Sequence, residues 1–133
     1  MAYHGFAIQE ALYSRLNGDS TLVSLVTGVY DAVPDDVSMP ICVIGPSTST
    51  DDATKGLDAR DYIFNVDVWS SYRGLKETKN IVKQVYSLLH QYALSVTGAS
   101  LVTLRCEFTT ELLEDNGVTR HGVMRFRAFV TDT

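Results

Sequence analysis

A chain of 133 residues with 45% hydrophobic and 20% charged side chains is long enough to close one domain around a sizeable core. Eleven basic against sixteen acidic residues leave a net charge of −5, which argues against nucleic-acid binding as the main task, since that work usually shows a basic stripe. No apolar run reaches the ~18 residues of a membrane span, and MAYHGFAIQEAL has no cationic segment ahead of an apolar one, so neither a membrane span nor a secretory leader is expected.

The first element spans residues 6–17, with Ile8, Ala11, Leu12 and Leu16 at helical spacing. Gly18 is placed to end it, and Asp19 or Ser20 can cap a short second helix through STLVSLV. Two short apolar runs follow, VYDAV and MPICVIGPS, separated by a turn at PDDVS. Residues 47–60, STSTDDATKGLDAR, hold almost no large apolar side chain and read as a long exposed loop or the tip of an extended hairpin. Residues 61–70 alternate, with Tyr62, Phe64, Val66 and Val68 on one face and Ile63, Asn65, Asp67 and Trp69 on the other.

The stretch DVWSSYRGLKETKN makes a corner, in which Ser70 or Ser71 can accept a backbone N–H at the start of a helix. That helix, residues 75–92, gathers Leu75, Thr78, Ile81, Val82, Val85, Tyr86, Leu88, Leu89 and Tyr92 on one side. Two strands, residues 101–113 and 118–130, are joined at Asp115-Asn116-Gly117. A two-residue Asn-Gly turn would set Cys106 opposite Arg127 and mix the faces. A three-residue loop with left-handed Gly117 pairs Cys106 with Phe126 and Leu104 with Ala128, and sets Glu107 opposite Arg125 and Glu111 opposite His121. It leaves Arg105 facing Arg127, a repulsion Glu107 can offset from the diagonal position; a bulge elsewhere is the other way to keep the pattern.

The order of elements predicts a single α+β domain over residues 1–133, a mainly antiparallel sheet with two helices packed on one face and a long polar hairpin loop. The other sheet face carries Asn65, Asp67, Trp69, Arg105, Glu107, Val123, Arg125, Arg127 and Phe129, an unusual mixture for a face that only meets water. Cys42 and Cys106 lie in apolar runs and read as buried free thiols.

Catalytic signals are thin. His4, His90 and His121 lack the spacing of a helical zinc site, and Asp35-Asp36 and Asp51-Asp52 lack that of a calcium loop, so no metal is expected. There is no glycine-rich phosphate loop and no nucleophile elbow, so neither cofactor nor catalytic residues are expected. Asp67 with Glu107 can be drawn as an acid/base pair, but Arg125 and Arg127 on the same face make ordinary ion pairs the better reading. Arg120-His121 with Arg125 and Arg127 is a basic patch that alternation divides between two faces. Trp69 beside charges suits an interface, with Tyr72 and Arg73 offered to a neighbour at the corner.

Taken in order, ALYSRLNGDSTLVSLV, GVYDAVPDD, MPICVIG, FNVDVWSSYRGLKET and TRHGVMRFRAFV resemble the tail completion, or tail terminator, proteins of long-tailed phages, prophages and gene transfer agents, over nearly the whole chain. The resemblance implies a non-enzymatic virion protein, synthesised in the bacterial cytoplasm, that forms a homohexameric ring on the head-proximal end of the tail tube. Such a ring ends tube polymerisation and meets the head-side connector, and DNA only passes through it. Within that reading Asp67, Trp69, Tyr72, Arg73, Arg105, Glu107, Arg125 and Arg127 are the interface candidates, and Asp51, Asp52, Lys55 and Asp58 would line the lumen. A head-side connector or stopper is the alternative, and a small enzyme a more distant one.

Overall fold

The computed structural model describes residues 3–52 and 58–132, so Lys55 lies outside the described residues. Helix α1, Gly5–Asn17, buries Ile8, Leu12 and Leu16, which recur every fourth residue and so fall on one stripe. The Gly18 N–H closes its end on the Ser14 carbonyl. Asp19 then starts α2, Ser20–Leu25, its carboxylate accepting the Leu22 N–H at 2.8 Å.

Of VYDAV only Val29–Tyr30 forms strand β1, parallel to β2, Ile41–Asp51. β2 runs antiparallel to β3, Ala59–Ser70, so residues 47–51 and 59–60 form the arms of an extended hairpin. The β-branched threonines suit that pleat, and the pairing slips at Gly45-Pro46, where a proline without an N–H costs no ladder bond. Helix α3, Lys76–Leu89, follows the corner; β4, Ala99–Leu113, and β5, Arg120–Asp132, complete the chain. The five-stranded sheet has the order β1-β2-β3-β5-β4, antiparallel except for the first pair. This is an α+β fold.

The core lies between the helices and one sheet face. Tyr62, Phe64, Val66 and Val68 from β3 meet Met124, Phe126, Ala128 and Val130 from β5, and the rings of Phe64 and Phe126 stack at 5.5 Å. From α3, Thr78, Ile81, Val82, Val85, Leu88 and Leu89 are buried. The helix comes down on Gly122, where a Cβ would stand 2.9 Å from Val82 Cγ2. Three residues expected on this stripe lie outside it: Leu75 is the N-cap, Tyr92 follows the helix end, and Tyr86 stacks on His90 at the rim. Cys42 is buried as expected, whereas Cys106 is only half-buried.

The β4–β5 connection departs from expectation. Glu114 and Thr119 close a four-residue loop, with the Glu114 N–H on the Thr119 carbonyl at 2.8 Å and the Gly117 N–H on the Glu114 carbonyl at 3.0 Å. Gly117 does take the left-handed conformation, at φ +73°. Asn116 decides the length: its Oδ1 accepts the Val118 and Thr119 N–H groups, both at 2.9 Å. The resulting register would mix the faces, and a bulge at Glu107 corrects it. Beyond the bulge, Cys106 still faces Phe126 and Leu104 still faces Ala128. On the turn side, Phe108 rather than Glu107 opposes Arg125, and Leu112 rather than Glu111 opposes His121. Glu111 thereby turns to the helix side, where it pairs with Lys79 at 3.1 Å.

Candidate interface on the open sheet face

The face of the sheet away from the helices is built by alternation and then sorted by charge. β3 contributes Ile63, Asn65, Asp67 and Trp69, which lie across β5 from Arg127, Arg125, Val123 and His121. β4 adds Arg105 opposite Arg127 and Phe108 opposite Arg125. Of the side chains expected on this face, Asp67, Trp69, Arg105, Glu107, Arg125 and Arg127 do come together there.

At the turn end the polar groups are fully engaged. The Trp69 and His121 rings stack with centroids 3.6 Å apart and 13° between planes. His121 Nε2 bonds Asp67 Oδ1 at 2.8 Å, and its Nδ1 bonds Glu114 Oε1 at 2.9 Å. This clamp was not foreseen. Finding it requires knowing that β5 lies beside β3, which no local pattern states. Asp67 is therefore spent on His121 and is not joined to Glu107.

At the middle of the face the arrangement is electrostatically incomplete. Glu107 Oε2 lies 3.3 Å from Arg127 Nε, and its Oε1 lies 3.9 Å from Arg125 Nε. One carboxylate thus serves two guanidiniums, while Arg105, directly opposite Arg127, has no ionic partner among the described residues. The Arg125 guanidinium sits 5.3 Å over the Phe108 ring. All four charged groups are half-buried or exposed.

Tyr72 and Arg73 lie elsewhere, exposed on the corner ahead of α3. There Ser70 accepts the Tyr72 N–H at 3.1 Å and donates its own hydroxyl to Glu77 at 2.6 Å, which holds the corner shut. Asp51 ends β2, and Asp52 and Asp58 flank the hairpin tip. Beside them the Asp61 carboxyl is pushed above its ordinary range, first by partial burial and then by its hydrogen bond to Asp52.

Among the described residues no group of three or more His, Cys, Asp or Glu could hold a metal ion. A cavity of about 560 Å³ forms an open groove between α1 and residues 92–97. Arg15 crosses its floor, 3.6 Å over the Tyr92 ring, and donates to the Leu88 carbonyl. Among the described residues no helix is long and apolar enough to cross a membrane.

Comparison with known proteins gives consistent matches. The family model described as tail completion protein gp17 matches residues 10–131. Tail completion protein gp17 of Bacillus phage SPP1 is 26% identical over 121 residues, covering 91% of this chain and 90% of that protein. A chain in the virion of a native gene transfer agent particle superposes with a TM-score of 0.91 at 26% identity, over 98% of this chain and 99% of that one. The structure of SPP1 gp17 itself matches in fold, with a TM-score of 0.67 at 24% identity over 92% and 87% of the two chains.

Proposed function

The chain belongs to the tail completion protein gp17 family, and from that premise we propose that it is a structural protein of a phage or gene transfer agent virion. Six copies form a ring on the head-proximal end of the tail tube. The ring ends tube growth, meets the head-side connector and lets DNA through its centre. The observation that carries this reading is the near-complete superposition on a chain of a gene transfer agent virion.

The open sheet face supports it in physical terms. Aromatic rings beside incompletely paired guanidiniums suit a surface that another protein covers. Asp67, Trp69, Arg105, Glu107, Arg125 and Arg127 belong to that interface, and Tyr72 with Arg73 extends it around the corner. Asp51, Asp52 and Asp58 line the lumen, where carboxylates keep phosphates from sticking to the wall.

Light scattering on the purified protein, alone and with purified tail-tube assemblies, tests the reading. A particle of about six times 14.7 kDa, free or formed only on tube ends, is expected. A stable monomer that ignores tubes would overturn it and return the chain to the connector and enzyme readings.

A further inference from the structure

A closed ring of identical subunits joins two different patches on each copy, because a head-to-tail contact is heterologous. The sheet of this protein ends in two unlike edges. On one side stands β4, fifteen residues long, its outer edge capped near the middle where the Gln91 N–H donates to the Leu104 carbonyl at 2.7 Å and the Cys106 N–H to His90 Nδ1 at 3.0 Å. On the other stands β1, only two residues long, followed at once by the corner of residues 31–40. Four inter-strand gaps of about 4.8 Å separate β1 from β4 by roughly 19 Å. Groups at one edge cannot satisfy those at the other within a single copy.

The charges left over at the two edges have opposite signs. Near β4, among the described residues, Glu107 alone stands within ion-pair distance of Arg125 and Arg127, Asp61 acts on Arg127 from farther off, and Arg105 has no ion-pair partner. Arginines directly opposite on neighbouring strands repel at a Cα separation of about 5 Å, so Arg105 and Arg127 call for a further carboxylate. At the β1 corner, Asp35 and Asp36 are exposed and have no ionic partner among the described residues. Each edge also carries exposed apolar surface: Phe108 and Leu112 on β4, Val33 and Met39 at the corner. Each patch is therefore an apolar centre with charge of one sign beside it, and the two are complementary. Simple addition of a neighbour's strand to β4 fits less well, because the bulges near Val102 and Glu107 interrupt that edge.

We infer that copies of this chain join head to tail through these edges, Asp35 and Asp36 of one copy seating against Arg105 and Arg127 of the next. The inference rests on the ring reading above and names the surface that closes it. Both patches lie outside the core, so charge can be changed there without touching the packing.

The test is a pair of charge reversals that are silent only in combination. Arg105→Glu with Arg127→Glu, and separately Asp35→Arg with Asp36→Arg, are each expected to weaken assembly at least tenfold, read as ring mass by light scattering with and without tube ends. An equimolar mixture of the two variants is expected to regain rings, because alternation around an even-numbered ring matches every contact. Unchanged melting temperatures show that each variant folds, and the milder Arg105→Gln is expected to weaken assembly by a smaller factor in the same direction. Reversed variants that assemble as well as the wild type, or a mixture no better than its parts, would overturn the interface while wild-type rings leave the ring reading standing. If the wild type run alongside makes no ring alone or on tubes, the ring reading falls and the interface falls with it.

Discussion

Thr78 faces the sheet from the first turn of α3, fully buried, and its hydroxyl has no hydrogen-bond partner among the described residues. A buried hydroxyl left without a partner costs about 1–3 kcal/mol. Its methyl group, by contrast, is well placed against Gly122. Replacing the hydroxyl with a second methyl keeps the shape and removes the penalty. Thr78→Val is therefore expected to stabilise the fold by about 1 kcal/mol, or roughly 4 °C in a thermal melt of a domain this size. A melting temperature that falls would mean that the hydroxyl is serving a partner after all. Cys42 makes a second prediction at this scale. Burial, with a smaller push from the Asp67 charge, raises its thiol from 9.0 to about 12. Between those values the unfolded chain loses this proton while the native protein keeps it. Stability from this group is thus complete below pH 9 and is lost as pH rises toward 12. In a thiol-reagent assay at about pH 8, Cys42 is expected to stay unmodified until the protein is unfolded, since the thiolate is the reacting species. Rapid native labelling of Cys42 would contradict the burial argument.

At the scale of elements, α3 approaches β5 closely at Gly122. A Cβ at position 122 would meet Val82 Cγ2 at 2.9 Å and Thr78 Cγ2 at 3.0 Å, both on a helix anchored along its whole length. Gly122→Ala is expected to destabilise by about 1–3 kcal/mol through overpacking, visible as a lower denaturant midpoint with an unchanged slope. A neutral result would mean that α3 can lift off the sheet freely. This contact also shows what could and could not be read beforehand. The alternation of Tyr62, Phe64, Val66 and Val68 and the stripe of Ile81, Val82, Val85 and Leu88 are local patterns, and both were legible as elements with correct faces. The mixed composition of the open face was legible for the same reason. The length of the β4–β5 loop was not, because two backbone N–H groups captured by Asn116 decide it, and the compensating bulge sits several residues away at Glu107. The His121 clamp depends on β5 lying beside β3, a matter of topology that single-strand periodicity never encodes.

For the whole molecule the question is how subunits of net charge −5 come to sit side by side. A domain of this length has a radius of gyration near 14 Å, which puts ring neighbours about 35 Å apart, centre to centre. In water two such charges repel by roughly 3 kcal/mol unscreened. At about 10 mM salt the Debye length of 30 Å leaves about 1 kcal/mol of that, and at about 150 mM less than a tenth. The pairs inferred between Asp35, Asp36 and the arginines lie at contact distance, well within a Debye length even at physiological salt, so screening reaches them far less. Exposed pairs contribute only about 0.2–1 kcal/mol each in any case. Loss of the long-range repulsion therefore outweighs loss of the short-range attraction. The concentration needed for ring assembly is expected to fall as salt rises from about 10 to about 150 mM. The Arg105→Gln variant, one charge more negative, should shift that curve to higher concentration and make its fall with salt steeper. A wild-type ring that weakens steadily over the same range would mean that the contact charges, and not the apolar centres between them, hold neighbouring copies together.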